Sequence, residues 1–330
     1  MCNEPLLDVR NLTTVLDLAA GTTPVVDDVS FTVGRGETLG IVGESGSGKS
    51  MTANSIIQVL PKKIGRIAGG QILFDGKDLS QFSDADLTKV RGREIAMILQ
   101  DPHTSLNPVY TIGNQVIEAL KLDNPQQPKR SLLGKAIDVL KKVNVADAER
   151  RLYAYPHQMS GGMKQRVVGA IAFSSAPKLI IADEPTTALD VTIQLQYLQL
   201  LEGIQKNTGA AIIFITHDLG IVAHLCHRLA VMYGGRIVES GTVKDVFAAP
   251  SHPYTQALLK SVPSIDAKVA RLYAIQGQPP PLTEKTAGCK FAPRCPLATD
   301  VCRSQRPSPK PGRSGAASHE ASCWHLGETL

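Results

Sequence analysis

The 330-residue sequence has no long hydrophobic run. A transmembrane helix needs roughly 20 consecutive apolar residues, whereas the longest run here, AAIIFI at residues 210–215, has the length of a strand. The N-terminus, MCNEPLLDVRN, has neither a basic start nor a long apolar segment, so we expect no signal peptide. Any role at a membrane is therefore expected to depend on a partner protein.

Strong net charge, internal repeats and coiled-coil heptads are also missing. The formal net charge of +5 is too small to indicate nucleic-acid binding by itself, so we expect no nucleic-acid partner. Hydrophobic residues make up 43% of the chain and charged residues 20%, which is typical of a globular protein with a core. Residues 271–330 hold most of the excess charge and many of the prolines, which predicts an irregular, loop-rich extension.

Cysteine is rare before this extension. Cys2 and Cys226 stand alone, and four more lie near the C-terminus: Cys289, Cys295, Cys302 and Cys323. With no sign of secretion, such clustering favours metal over disulfide bonds. The gaps are wider than the two to four residues usual for structural zinc, which suits a [4Fe–4S] cluster. Tetrahedral Zn²⁺ and unmetallated thiols in a flexible tail are the alternatives.

Apolar strands alternate with helical patterns along the chain. KLIIADEP and AAIIFITHD read as continuous buried strands of the kind found in parallel sheets. Residues 111–155 and the segment SGGMKQRVVGAIAFS have apolar residues at helical spacing. RLAVMYGGRIVES predicts a hairpin around Gly234 and Gly235. This alternation predicts an α/β fold.

The stretch GESGSGKS matches the phosphate-binding pattern G-x-x-x-x-G-K-[ST] and lies between a predicted strand and a predicted helix. Backbone N–H groups of such a loop surround a phosphate, and the positive end of the next helix points at it. The lysine would pair with the β- and γ-phosphates, and the final serine hydroxyl would bind Mg²⁺. An ordinary glycine-rich turn is the alternative. The predicted binding residues are Gly43, Ser45, Gly46, Gly48, Lys49 and Ser50.

Four polar residues stand at the ends of apolar strands. Asp183 would join the Mg²⁺ shell, and Glu184 would orient and polarise the attacking water. His217 would hydrogen-bond the γ-phosphate, and Gln100 would act in catalysis and at Mg²⁺. Each alone has a plain structural alternative, as a surface acid or a structural side chain. Because ligands bind beyond the carboxyl ends of parallel strands, the four together with the loop predict a nucleotide site.

A second glycine turn opens a helix in QMSGGMKQR, residues 158–166, and is a second potential anion site. One chain that binds one nucleotide has no obvious use for two such sites. Two chains arranged head to tail would use both, because each helix could then cap the γ-phosphate held by the other chain.

With these motifs in this order, residues 6–245 resemble ATP-binding-cassette (ABC) ATPases. The shared motifs are the phosphate loop, Gln100, SGG at 160–162, IIADEP at 180–185, ALD at 188–190 and His217. The resemblance implies a P-loop NTPase fold with a RecA-like core, an antiparallel β subdomain and a helical subdomain at about 101–158. It divides the chain into an ATPase domain, 1–250, and an extension, 251–330.

The same resemblance implies a pair of cassettes that encloses two ATP molecules. Ser160, Gly161 and Gly162 would contact the partner's nucleotide, and Asp190 would cross to the partner. The helical subdomain would contact membrane subunits.

Two departures from the family pattern stand out. The signature usually reads Leu-Ser-Gly-Gly-Gln, whereas here Met159 and Met163 flank the Ser-Gly-Gly core, which keeps its anion-binding groups. Many cassettes also stack adenine on an aromatic residue before the phosphate loop, but residues 11–30 contain no Phe, Tyr or Trp. We therefore expect adenine to rest on aliphatic side chains such as Val15, Leu16 or Val25.

The C-terminal sequence resembles the extension of oligopeptide and dipeptide importer ATPases. PSHPYTQALLKSVP and GCKFAPRCPLATDVC carry this likeness. It implies a peripheral subunit on the cytoplasmic face of the bacterial inner membrane, with a second, related ATPase, two permeases and an extracytoplasmic solute-binding protein. Some such tails carry an iron–sulfur cluster, so the resemblance favours [4Fe–4S] over Zn²⁺.

Other functions remain open at this point. Close relatives of this type use the same kind of ATPase to import nickel, glutathione or opines. An exporter cassette, a soluble DNA-repair or translation ATPase and a metal-sensing regulator are further alternatives. Fused membrane segments, tandem cassettes or a response to iron without any permease would distinguish them.

Overall fold

The computed structural model describes residues 4–19, 21–122, 125–187, 189–262, 273–281, 283–284 and 286–330. Strands and helices alternate, as the sequence predicts. The strands are β1 (Leu7–Leu18), β2 (Gly21–Val33), β3 (Thr38–Val42), β4 (Gly65–Phe74), β5 (Lys77–Asp78), β6 (Ile95–Ile98), β7 (Leu179–Asp183), β8 (Ala211–Thr216), β9 (Arg228–Tyr233), β10 (Arg236–Thr242), β11 (Lys310–Pro311) and β12 (Glu320–Ala321). The helices are α1 (Lys49–Ile56), α2 (Asp84–Val90), α3 (Pro102–Ser105), α4 (Ile112–Lys121), α5 (Lys129–Lys142), α6 (Ala148–Arg151), α7 (Gly161–Phe173), α8 (Val191–Thr208), α9 (Leu219–Leu225), α10 (Val243–Ala248), α11 (Pro253–Ser261) and α12 (Asp300–Ser304).

The chain forms two compact units that are discontinuous in sequence. The first unit comprises Met1–Leu6, Val33–Glu37 and Gln81–Ile215. The second unit comprises Leu7–Thr32, Thr38–Ser80 and Thr216–Leu330. Compactness thus groups the extension with the second unit, while the boundary expected near residue 250 stays a prediction about sequence domains.

The first unit contains the parallel strands β6, β7 and β8 and most of the long helices. β7 pairs with β6 on one side and with β8 on the other, and every residue of β7 and β8 is buried. This burial explains why both strands read as continuous apolar runs. The predicted helical stretch 111–155 is confirmed and contains α4, α5 and α6. The buried residues of α4 and α5 recur at helical spacing.

The second unit contains two sheets. One is antiparallel, in the order β2-β1-β4-β5, and the other runs β11-β12-β10-β9-β3, with β3 parallel to β9. The predicted hairpin is confirmed: β9 and β10 pair in antiparallel fashion around Gly234 and Gly235, which have φ of 55° and 83°. β12 comes from the extension and pairs with β10.

The extension is anchored to the second unit by buried side chains. Phe291 lies in one core with Tyr233 and Tyr254. His319 and Glu239 are both fully buried, and their Nε2 and Oε1 atoms lie 2.8 Å apart. The extension therefore gains its order by packing on this unit, which agrees with its low content of large apolar residues.

No helix in the described part of the chain is long and apolar enough to cross a membrane. The longest described helix, α8, has 18 residues and buries one face, which includes Tyr197, Leu198 and Leu201. Its remaining faces are largely polar or exposed, as in a helix that packs on a protein surface.

Candidate functional site

The phosphate loop, residues 43–50, connects β3 to α1 as predicted. Gly43, Gly46 and Gly48 have φ of 156°, 77° and 101°. A Cβ atom at Gly43 would lie 2.2 Å from the carbonyl oxygen of Met232, and one at Gly48 would lie 2.7 Å from that of Val25. Glycine is required at both positions, because the loop passes against neighbouring backbone.

Lys49 places its ammonium group within this loop. Its Nζ donates hydrogen bonds to the carbonyl oxygens of Gly43 at 2.8 Å and Glu44 at 3.0 Å, and the residue is only 5% exposed. Ser50 is the second residue of α1 and is partly buried, whereas Ser45 is exposed. A buried cation, backbone N–H groups and a helix N-terminus suit a phosphate chain.

In the first unit, Gln100 and Glu184 lie together beyond the parallel strands. Gln100 Nε2 donates to Glu184 Oε2 at 3.0 Å, and the Thr187 hydroxyl donates to the same oxygen at 3.0 Å. Asp183, the last residue of β7, is 5% exposed. Glu184 has a φ of 45°, an unusual value for a residue other than glycine. Sequence reasoning missed Thr187, whose role depends on this turn.

A second anion-binding surface lies in the first unit, where two helices begin. The Ser160 hydroxyl caps α7 by accepting from the Met163 N–H at 3.4 Å, and the Asp190 carboxylate caps α8 by accepting from the Ile193 N–H at 3.0 Å. These caps line an open depression of about 460 Å³, which we call the signature depression. Its other lining residues are Asn144, Ala146, Gly161, Gly162, Arg166 and Leu189.

The signature depression is shaped by its two glycines and rimmed by one cation. A Cβ atom at Gly162 would lie 2.9 Å from Ile193 Cγ2, while one at Gly161 would meet nothing within 4 Å. Arg166, which sequence reasoning missed, donates to the Asn144 carbonyl oxygen and to Gln196, each at 2.7 Å. The depression thus offers two helix N-termini and a positive charge to a ligand.

His217 follows β8 and is exposed. Its neighbour Asp218 caps α9 by accepting from the N–H groups of Gly220 at 2.8 Å and Ile221 at 3.3 Å. The γ-phosphate role of His217 stays a prediction.

The expected adenine contacts need a correction. Val15 is 6% exposed and Val25 only 1%, because both side chains point into the core of the second unit. Of the three aliphatic residues named from the sequence, only Leu16 is partly exposed. Buried side chains cannot form a platform for a base, so Val15 and Val25 are excluded from this role.

The five cysteines that the structure describes are all free thiols, and Cys2 lies outside the described residues. Burial raises the pKa of Cys289, that of Cys295 to about 11 and that of Cys323 to about 12. Negative charge on other tail thiols contributes to the raised pKa of each of these three cysteines, after burial. Burial also acts on Cys302, but hydrogen bonds from Thr299 and His325 lower its pKa.

The metal site expected from these thiols is not formed as a ligand set. Among the described residues, no three His, Cys, Asp or Glu side chains are placed to hold a metal ion. A single ion such as Zn²⁺ needs each sulfur at about 2.3 Å. Among the residues that the structure describes, the tail thiols thus form neither a zinc site nor a ready ligand set for the predicted cluster.

Two families match the chain. Residues 26–187 match the family described as ABC transporter, and residues 238–302 match the family described as oligopeptide/dipeptide transporter, C-terminal region. A Sinorhizobium fredii protein named as a probable peptide ABC transporter ATP-binding protein is 49% identical over 98% of this chain and 96% of its own length. The dipeptide transport ATP-binding protein DppD of Bacillus subtilis is 47% identical over 97% of this chain and 95% of its own length.

Solved structures give the same fold. The ATP-binding cassette MJ0796, solved as a dimer in a post-hydrolysis state with ADP and Pi, is 26% identical with a TM-score of 0.65. The match covers 72% of this chain and 98% of that cassette. The cassette cbiO1 of Clostridium perfringens, part of an ABC transporter complex, is 29% identical with a TM-score of 0.61 and is covered to 91%, against 74% of this chain.

Proposed function

This chain belongs to the family of ABC transporter ATP-binding proteins, in its oligopeptide and dipeptide branch, and we propose that its phosphate loop binds ATP and that Glu184 directs the hydrolysis of this ATP. It is an ATPase that powers the import of peptides. The observation that carries the peptide assignment is the match of residues 238–302 to the C-terminal region of oligopeptide and dipeptide transporters. Relatives that match over nearly the whole chain agree with it.

ATP binding is assigned to the phosphate loop. The backbone N–H groups around Gly46 and Gly48 would surround the phosphates, and Lys49 would turn from the loop carbonyls to the β- and γ-phosphates. Mg²⁺ bound with ATP would neutralise part of the phosphate charge. Ser50, Asp183 and Gln100 carry the hard oxygen atoms that would hold this ion.

Hydrolysis is assigned to Glu184. Its carboxylate is oriented by two hydrogen bonds, from Gln100 and from Thr187. A carboxylate held in this way can orient a water molecule and accept its proton as it attacks the γ-phosphate. His217 would donate a hydrogen bond to the γ-phosphate and thereby report its presence.

The signature depression is assigned to the nucleotide of a second cassette. Ser160, Gly161, Gly162 and Asp190 surround two helix N-termini that face an open space within their own unit. The dimeric cassette MJ0796 is a relative in which two such subunits associate. The partner would be a second ATPase chain, related to this one but not identical.

Membrane partners follow from family membership, since a chain of this family acts with permease subunits. The helical subdomain, about 101–158, would bind two permeases, and an extracytoplasmic solute-binding protein would deliver the peptide. We place the chain at the cytoplasmic face of the bacterial inner membrane as a peripheral subunit.

The tail thiols are assigned to a [4Fe–4S] cluster. The chemistry of the donor set fits, because iron–sulfur clusters are held by four cysteine thiolates and the tail carries four cysteines, none of them in a disulfide bond. Cys323 Sγ also accepts a hydrogen bond from the His325 N–H at 3.3 Å, a contact that tunes such clusters. A cluster has four separate attachment points, so its ligands need not converge on one ion. Its role would be to hold the tail on the second unit.

Purification without oxygen tests this assignment. We expect brown protein with broad absorption near 400 nm and about four irons per chain. Colourless protein with one zinc per chain would favour zinc, and metal-free protein with four reactive thiols would exclude any metal.

Mass spectrometry of the solute tests the peptide assignment. The intact complex should be captured through this chain, and the compound carried by its solute-binding protein should be identified. We expect short peptides. Nickel, glutathione or an opine-like compound would leave the ATPase assignment intact and overturn the peptide assignment.

A further inference from the structure

The loop between the first two tail cysteines, residues 289–295, reaches the phosphate loop. Arg294 Nη1 lies 2.6 Å from Glu44 Oε2, and Arg294 Nη2 lies 3.1 Å from Glu44 Oε1. These two parallel hydrogen bonds form the fork that arginine makes with a carboxylate. The Arg294 side chain is 5% exposed and that of Glu44 is 25% exposed, so water screens this pair only in part.

Arg294 is held in place from several sides. Its Nε donates to the Gln276 carbonyl oxygen at 3.0 Å, and its Nη1 lies 3.2 Å from the Tyr233 hydroxyl. The guanidinium carbon also lies 5.8 Å from the centre of the Tyr233 ring. Phe291, in the same tail loop, packs edge-on against Tyr233 with ring centres 5.2 Å apart. The guanidinium is therefore fixed before any ligand binds.

Glu44 is likewise fixed through each of its polar groups. Its N–H donates to the Tyr254 hydroxyl at 2.9 Å, and its carbonyl oxygen accepts from Lys49 at 3.0 Å. Its carboxylate is the group that pairs with Arg294. Glu44 is thus the point at which the tail, α11 and the phosphate loop meet.

A second contact supports the same junction. Lys290, next to Cys289, donates from its Nζ to the Gly234 carbonyl oxygen at 2.6 Å. The adjacent Gly235 N–H donates to the Ser47 carbonyl oxygen at 2.8 Å. The tail loop therefore approaches the phosphate loop both directly and through the β9–β10 hairpin.

Glu44 presents an electrostatic problem for a loop that binds a polyphosphate. A carboxylate in the second position of this loop repels phosphate charge unless a cation neutralises it. Lys49 is the proposed phosphate-binding cation, and its described contact with Glu44 is to the backbone carbonyl oxygen. Among the described ion pairs, Arg294 is the cation that contacts the Glu44 carboxylate.

We propose that Arg294 is a positioning residue of the nucleotide site, which neutralises Glu44 and holds the phosphate loop open for ATP. The proposal rests on the proposed role of residues 43–50 as the ATP site. It makes the cysteine-bearing tail loop part of the nucleotide site. A purely structural salt bridge would instead attach the tail without affecting ATP affinity through the charge of Glu44.

A double-mutant cycle on the full-length chain tests this inference. The dissociation constant of MgATP is measured by calorimetry for the wild type, Arg294→Met, Glu44→Gln and the double variant. We expect Arg294→Met to weaken binding roughly 5- to 50-fold, in the range of typical coupling between sites. In the Glu44→Gln background the same change should cost less than about threefold, because no carboxylate is left unpaired.

Arg303→Met is the matched control, since Arg303 lies in the same tail but pairs with Asp300 at an exposed position. It should leave MgATP affinity within about twofold. Thermal unfolding without nucleotide reports whether each variant folds. If Arg294→Met alone does not fold, the double variant carries the test, because it lacks the uncompensated carboxylate.

The outcomes separate this inference from the function on which it rests. No MgATP binding by the wild type would overturn the proposed ATP site. Wild-type binding together with an unchanged affinity of Arg294→Met would overturn the inference alone. A loss of equal size in both backgrounds, or a folded double variant that binds much more weakly than Glu44→Gln, would also overturn it, because the charge of Glu44 would then be irrelevant.

Discussion

The phosphate loop surrounds its own buried cation, Lys49, whereas the signature depression faces open space. Lys49 bonds to carbonyl oxygens of its own loop, and Gly43 and Gly48 leave no room for a side chain. Around Gly161, by contrast, a Cβ atom would meet nothing within 4 Å. One surface is built to bind by itself, and the other offers two helix N-termini without the walls of a closed site.

This difference indicates that the two surfaces have separate roles, although both use the same kinds of group to bind an anion. Both surfaces use glycine and a helix N-terminus to meet an anion. The phosphate loop adds the buried ammonium group of Lys49 among its own carbonyl oxygens, so it can hold a phosphate chain within one chain. The signature depression adds Arg166 at its rim and needs a second molecule to supply the anion.

The largest expected effect concerns ATP hydrolysis and the proposed catalytic carboxylate, Glu184. Glu184→Gln removes the proton-accepting carboxylate but keeps the shape of the side chain. We expect ATP hydrolysis at this chain's site to fall roughly 10²–10⁴-fold while ATP stays bound. Single-turnover hydrolysis of radiolabelled ATP measures this.

Glu202→Gln is the control, because Glu202 forms an exposed pair with Lys206 on α8. It should hydrolyse ATP at the wild-type rate. Wild-type hydrolysis by Glu184→Gln would show that Glu184 is not the catalytic carboxylate.

A smaller effect is expected on folding stability, which should differ between glycine variants of the two surfaces. Gly48→Ala places a Cβ atom 2.7 Å from the Val25 carbonyl oxygen at a φ of 101°, so we expect a loss of roughly 1–3 kcal/mol in the free energy of unfolding. Gly161→Ala should change it by less than about 0.5 kcal/mol. Urea unfolding of both variants measures the difference. An equal loss in the two variants would contradict the contrast between a filled loop and an open depression.

The smallest expected effect is a loss of folding stability at acidic pH through His252, which supports the phosphate loop. Burial lowers the pKa of His252 to about 4, and the neutral Nδ1 accepts from the N–H of Tyr254, which in turn holds Glu44. Since the folded pKa is depressed, this stabilisation is complete above about pH 6.5 and is lost as the pH falls towards 4. Between pH 7 and pH 5 we expect His252 to account for a loss of about 1–2 kcal/mol.

Urea unfolding of His252→Asn at both pH values measures this contribution. The variant should lose less stability on acidification than the wild type does. His224→Asn, at an exposed position of α9, is the matched control. An identical loss in His252→Asn and the wild type would exclude His252 as the acid-sensitive group.

The sequence alone predicted those site residues that form one contiguous stretch or that directly follow an apolar strand. The phosphate loop is one unbroken stretch, and Gln100 and Glu184 meet because parallel strands end at a common edge. The signature residues were found because Ser160 and its glycines precede a helix.

Contacts between residues that are far apart in the sequence could not be predicted from the sequence alone. Arg294 and Glu44 are 250 residues apart, and nothing in their local sequence pairs them. The sequence did not predict helix α8. Two of its apolar residues, Val191 and Leu195, are exposed, and they interrupt the helical spacing of the residues that are buried. Val15 and Val25 were misjudged because their burial depends on how the second unit packs, which residue type alone does not reveal.

We propose that the signature depression binds the ATP of another chain. Ser160→Arg places a bulky side chain in the depression and removes the cap of α7. Ser83→Arg is a matched control, because Ser83 caps α2 through the same kind of hydrogen bond, to the Asp86 N–H at 3.3 Å. Both changes should cost about 1 kcal/mol of stability.

The decisive measurement gives two values for Ser160→Arg: the MgATP affinity of the purified chain, and the ATP turnover of the complex assembled with that chain. We predict affinity within about twofold of the wild type and turnover reduced at least about 100-fold, as when a transition-state contact is lost. Ser83→Arg should keep both. Lost affinity at the chain's own site, with turnover at the partner's site preserved, would show that Ser160 acts on the nucleotide of its own chain.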